Sequence, residues 1–76
     1  MRSELELYQN ISARLEKHRV ELNISKRQLS KATGITPVYI REVLRGERKP
    51  SVYILLLLCN AMGLKLSDLF GELEKI

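Results

Sequence analysis

"SKRQLSKATGITPVYIREVL", residues 25–44, reads as two short helices on either side of one glycine. Ser25 suits the N-cap of the first helix, with Gln28 three residues on to close a capping box. Gly34 suits the left-handed position that ends it. Thr36 suits the cap of the second helix, because Pro37 then falls on the first helical position, where a missing N–H costs nothing. Ile40, Val43 and Leu44 stand three and four apart and form one inward stripe on that second helix. Leu29 meets the stripe from the first helix, Ser30 is small enough for a close crossing, and Ile35 plugs the turn. The outward face of the second helix is left with Pro37, Val38, Arg41, Glu42 and Arg45, and Tyr39 lies at its edge.

Outward from this pair, Leu5, Tyr8, Ile11, Leu15 and Leu22 recur at helical spacing and predict a long first helix over 4–22, stopped at Asn23. On the other side, "ERKPS" is a basic connector in which Pro50 disfavours helix before it and Ser51 can cap the next helix. That fourth helix is expected from Val52 to Met62, closed by Gly63, and a short fifth one capped by Ser67 within "KLSDLFGEL". Val52, Leu55, Leu56, Cys59 and Met62 are expected in the core, whereas Tyr53, Ile54 and Leu57 project elsewhere. No alternating strand pattern, internal repeat or low-complexity tract interrupts this string. The expectation is one all-α domain over 1–76 with five helices.

Seventy-six residues, 45% of them hydrophobic, allow one modest core and leave little room for a large enzyme cleft. Cys59 is the single cysteine and His18 the single histidine, so neither a disulfide, a zinc site nor a nucleophile pair is expected. No phosphate loop or catalytic motif is present; no cofactor and no enzymatic activity are expected. The longest apolar run, Ile54 to Cys59, is too short to span a membrane and is placed wrongly for a signal peptide, which favours the cytoplasm. The formal net charge of +4 is concentrated: residues 26–49 hold seven basic side chains against Glu42 and Glu47, a local balance of +5. Such a concentration attracts phosphate backbones or acidic partners.

Two crossed helices whose second member shows a free face with basic ends have the geometry of a helix-turn-helix, in which that member enters a DNA major groove. From about Ile11 to Phe70 the chain resembles the phage-repressor-like, Cro and lambda-repressor type helix-turn-helix domains. The resemblance rests on "ISKRQLSKATGITPVYI", the following "RGERKPS", the Gly34-to-Gly46 spacing, and "LLLLCNAMGLKLSDLF" at the place of the family's fourth and fifth helices. It implies a compact five-helix lambda-repressor-like fold and a sequence-specific, DNA-binding transcriptional regulator. Base contacts are expected from Pro37, Val38, Tyr39, Arg41 and Glu42 on the recognition helix. Phosphate contacts are expected from Lys26, Arg27, Thr36, Arg45, Arg48 and Lys49.

This sequence departs from the family at several of these positions. Pro37 stands where a glutamine often bonds adenine, so that readout is closed, and Pro37 and Val38 offer apolar contact to thymine methyls instead. Arg41 can fork onto guanine, and Glu42 can accept from cytosine N4, repel wrong sequences or pair with Arg41. Leu44 replaces a glutamate that pairs with the arginine standing here as Arg19, which leaves Arg19 to solvent, Glu16 or Gln28. Tyr53, Ile54 and Leu57 stand where the family commonly carries polar side chains. With Leu73 and Ile76 they are the candidate homodimer interface, the competing expectation being that Leu5 and Leu7 of the first helix fold back over them. A dimer sets two recognition helices about 34 Å apart, one turn of DNA, so the expected operator is an inverted repeat bound by a repressor. The alternatives on the same fold are the antitoxin of a toxin–antitoxin pair, which binds a small protein as well as DNA, and a protein-interaction adaptor.

Overall fold

A computed structural model of the chain describes residues 3–74, without the side chains of 72–74. Five helices follow one another: α1 (Glu4–Glu21), α2 (Lys26–Thr33), α3 (Pro37–Leu44), α4 (Val52–Ala61) and α5 (Leu66–Glu74). Their starts follow the capping chemistry in the sequence. Ser3, Ser25, Thr36 and Ser51 each accept the backbone N–H three residues on. The Ser25 box is complete, with Gln28 Oε1 taking the Ser25 N–H at 2.8 Å. Asn23 ends the turn after α1 at φ 58, a left-handed position that asparagine tolerates.

The last helix departs from expectation. It starts at Leu66 rather than after Ser67, and Asp68 reaches back to accept the Lys65 N–H at 3.1 Å. The carboxylate of the first turn therefore closes this terminus, and Ser67 lies inside the helix. Gly71 does not interrupt it.

Side chains from all five helices meet in one core: Ile11, Leu15, Leu29, Ile40, Val43, Leu44, Leu55, Leu58, Cys59, Met62 and Leu69. α2 packs against α3 and α4, while α1 lies against α3 and α5. Leu5 and Leu22, which recur at helical spacing with Ile11 and Leu15, are exposed at the two ends of α1, because only its middle faces the other helices. Leu7 is exposed too, so the N-terminal end of α1 does not bury its leucines over α4.

On α4 the inward stripe is Leu55, Leu58, Cys59 and Met62, the i, i+3, i+4, i+7 set anchored on Leu55. Leu58 takes the place expected for Leu56. Val52 and Leu56, expected in the core, are 64% and 41% exposed, and with Tyr53 at 67% they form an apolar outer face. Ile54, expected to project outward, is half-buried and packs against the core.

Cys59 is fully buried, and burial, together with the charge of Asp68, pushes its thiol above the usual cysteine range. A thiolate is the reactive form, so Cys59 should react with a soluble thiol reagent at least about a hundredfold more slowly in the folded protein than in denaturant. Comparable rates in the two conditions would show that this core opens readily.

Candidate nucleic-acid interface

The turn between α2 and α3 sets the angle of the recognition helix, and it is locked from α2. Gly34 closes α2 at φ +78, where a side chain would be strained. Thr33 Oγ1 donates to the Leu29 carbonyl at 2.7 Å and accepts the Ile35 N–H at 3.2 Å. Ser30 Oγ donates to the Ile35 carbonyl at 2.6 Å. The small residue at the crossing is thus also a tie across the turn. At the far end of α3, buried Ser12 of α1 donates to the Val43 carbonyl at 2.7 Å. The turn before α3 and the last turn of α3 itself are thus each held by a hydroxyl from a neighbouring helix, which fixes how its outer face is presented.

That outer face holds the residues expected there. Pro37, Val38, Arg41 and Arg45 are exposed, and Val38 leaves 54% of its apolar surface in water. Thr36 is occupied in capping the Tyr39 N–H at 3.2 Å. Tyr39 is half-buried against the core, so its ring serves as a platform more than a free probe. Lys26 and Arg27 open α2 beside its N-terminal N–H groups, where an anion is favoured by the helix dipole as well as by charge. Lys26, Arg27, Lys31 and Arg41 make no ion pair among the described residues.

Three other cations are engaged. Arg45 stands 3.9 Å from Glu47, a loose exposed pair. Lys49 Nζ donates to Glu4 Oε1 at 2.7 Å, and that carboxylate keeps the ammonium charged to higher pH than usual. Both partners are exposed, so water screens the attraction and a phosphate can compete for Lys49. Arg48 Nε donates to Glu42 Oε2 at 3.2 Å, and the same guanidinium lies 5.4 Å from the centre of the Tyr39 ring. Glu42 is therefore the partner of Arg48, not of Arg41. Sequence reasoning missed this link, because the two residues are six apart and meet only through the turn at Gly46.

Arg19 takes one of its expected partners. Its Nε donates to Glu16 Oε2 at 2.9 Å and Nη1 to the Ile24 carbonyl at 2.8 Å, joining α1 to the start of α2. The Arg19 hydrogen bond holds the Glu16 carboxyl below the usual range. A cleft of about 370 Å³ beside Arg19, Asn23 and Gln28 is open, and its Arg19 and Gln28 groups are already bonded. Among the described residues no cluster of His, Cys, Asp and Glu could hold a metal ion, and no helix is long and apolar enough to cross a membrane. Of the dimer candidates, Tyr53 is exposed, Leu57 is half-buried and Ile54 is drawn into the core. The Leu73 side chain and Ile76 lie outside the described residues.

The sequence profile of the helix-turn-helix family matches residues 15–69 of this chain. No curated protein matches it in sequence. Among solved structures, the clp gene regulator ClgR from C. glutamicum superposes with a TM-score of 0.81 at 29% identity, over 87% of this chain and 85% of that one. The restriction-modification controller protein C.AhdI from Aeromonas hydrophila superposes with a TM-score of 0.77 at 26% identity, over 84% of this chain and 96% of that one. The controller protein C.Esp1396I, as a tetramer in complex with its natural 35 base-pair operator, shares the fold at 23% identity, with a TM-score of 0.81 over 97% of this chain and 95% of that one.

Proposed function

The chain belongs to the Cro/C1-type helix-turn-helix family of DNA-binding transcription regulators, and from that premise we propose that it is a cytoplasmic, non-enzymatic repressor that reads an inverted-repeat operator as a homodimer. The observation that carries this reading is the outer face of α3, with Val38, Arg41 and Glu42 at its centre and uncompensated cations flanking it. ClgR and C.AhdI are regulators, and C.Esp1396I was solved as a tetramer on its operator, which supports DNA as the partner and self-association as the mode. The outer face of α4 supplies the surface for a second copy.

Selection of bound duplexes from a random pool tests the proposal. An enriched inverted repeat with half-sites about one helical turn apart is the expected result, and no enrichment rejects it. Within that experiment Arg41→Ala should change which bases are preferred, because a guanidinium forking onto guanine is worth about 1–3 kcal/mol of discrimination. Lys26→Ala should instead weaken all sequences alike and flatten the salt dependence by about two units of slope, one for each copy in the dimer. The reverse pattern would exchange the two assignments.

A second reading draws on Leu5 and Leu7, which stay exposed on the N-terminal end of α1. An antitoxin would bury that end of α1 in a small protein partner while keeping its DNA contacts. Co-expression with the neighbouring gene products, followed by purification, would reveal a stoichiometric partner, and a homodimer alone would discard this reading.

A further inference from the structure

Glu42 is out of place on a face meant for a polyanion. It stands one turn beyond Val38 on the outer side of α3, where a bare carboxylate would be repelled by phosphates on either side of the groove. It is not bare. Arg48 Nε holds its Oε2 at 3.2 Å, and the Glu42 side chain is only 24% exposed, so the carboxylate is held in one place. Arg48 in turn rests on the Tyr39 ring at 5.4 Å, a distance at which a guanidinium is attracted to the aromatic face. Tyr39 is anchored in the core and its backbone is capped by Thr36.

The chain turn makes this reach possible. Gly46 adopts φ +76, and Glu47 N–H bonds the Glu42 carbonyl at 2.9 Å. The connector therefore doubles back and places Arg48 over the end of α3. With its Nε on Glu42 and its Cζ 5.4 Å from the centre of the Tyr39 ring, this guanidinium is already engaged on the protein, although its side chain is 53% exposed.

We propose that Arg48 is a positioning residue for base readout: braced on Tyr39, it holds Glu42 so that the second carboxylate oxygen accepts from the exocyclic amino group of cytosine in the major groove. The inference rests on the DNA-binding reading above and revises the role of Arg48 within it. The pairing does two things. It neutralises the carboxylate's charge toward phosphate, and it restricts the side chain, so less freedom is lost when the base contact forms.

The test is random-pool selection and quantitative binding at fixed salt with the full chain, its Arg48→Ala, Arg48→Lys and Glu42→Gln variants, and the Arg48→Ala, Glu42→Gln double variant. The parent should select a half-site with one strongly preferred cytosine. Arg48→Ala and Glu42→Gln should each cost about tenfold in preference at that base pair while the other positions keep theirs. Arg48→Lys should fail to restore it, because an ammonium lacks the planar fork that meets both Tyr39 and Glu42. In the Glu42→Gln background, Arg48→Ala should change that preference no further, since Arg48 acts through the carboxylate.

A uniform loss for all sequences in Arg48→Ala, restored by Arg48→Lys and accompanied by a shallower salt slope, would overturn the inference in favour of a phosphate anchor and leave the DNA-binding reading standing. An unchanged cytosine preference in Glu42→Gln would overturn it as well. A parent protein that enriches no motif would overturn both. Circular dichroism of each variant separates these outcomes from unfolding, and unchanged spectra are expected because Arg48 is 53% exposed and Glu42 lies outside the core.

Discussion

Raising the salt concentration fourfold should weaken operator binding by about 10³ to 10⁵-fold. The magnitude comes from the cations at the DNA face that are free or only loosely paired. Lys26 and Arg27 make no ion pair among the described residues, Arg45 is held only loosely by Glu47, and Lys49 is held by an exposed Glu4 that a phosphate can displace. A dimer presents this set twice, which brings it into the range of about 6 to 10 neutralised phosphates. Each neutralised phosphate releases condensed counterions, so the logarithm of the binding constant should fall with that of salt at a slope of about −5 to −9. Lys49 adds less than a free lysine would, because a phosphate must first displace Glu4. Titrations of a fluorescent duplex at four or five salt concentrations measure the slope directly. A slope near −2 would mean that the basic middle of the chain does not lie along the backbone, and the proposed docking of α2 and α3 would fall with it.

The helix-turn-helix was legible because its signals are local. Ser25 with Gln28, Gly34 at a left-handed position, and Thr36 ahead of Pro37 each act within four residues, and each is realised as the sequence implies. The inward stripe of Ile40, Val43 and Leu44 was equally readable, since they share the one side of this eight-residue helix that carries no charged residue. α4 was harder. Nearly all of its residues are apolar, so periodicity gave two nearly equivalent inward faces, and the choice of Leu56 over Leu58 went the wrong way. What decides it is the packing of α2 and α5 against α4, a property of the assembled fold. Ser67 misled for a related reason: serine and aspartate both cap helices, and Asp68 at the third helical position took the role. The Arg48–Glu42–Tyr39 arrangement had no sequence signal at all, because it depends on how sharply the chain turns at Gly46.

Two leucines two residues apart on α4 should respond to substitution in opposite ways. Leu58 is 1% exposed and sits among side chains from several helices, so Leu58→Ala should cost about 2–5 kcal/mol through lost burial and the cavity left behind. A domain of this size has a total stability of about 4–11 kcal/mol, so that loss is a large share of it and should show as a clear drop in the denaturant midpoint. Leu56 lies 41% exposed beside Val52 and Tyr53, and Leu56→Glu should change the unfolding free energy of the monomer by less than about 1 kcal/mol. Its effect belongs to association. A carboxylate placed in a self-complementary apolar interface is buried twice, once from each copy, and neither charge finds a partner there. Sedimentation should show a monomer, and affinity for the full inverted repeat should fall by about 10² to 10⁴-fold while binding to a single half-site stays as it was. A Leu56→Glu protein that remains dimeric and binds the full operator normally would place the dimer contact elsewhere, and the outer face of α4 would then need a different occupant. If both variants simply unfold, Leu56 belongs to the core, and the apolar face reduces to Val52 and Tyr53, too small to hold two copies together.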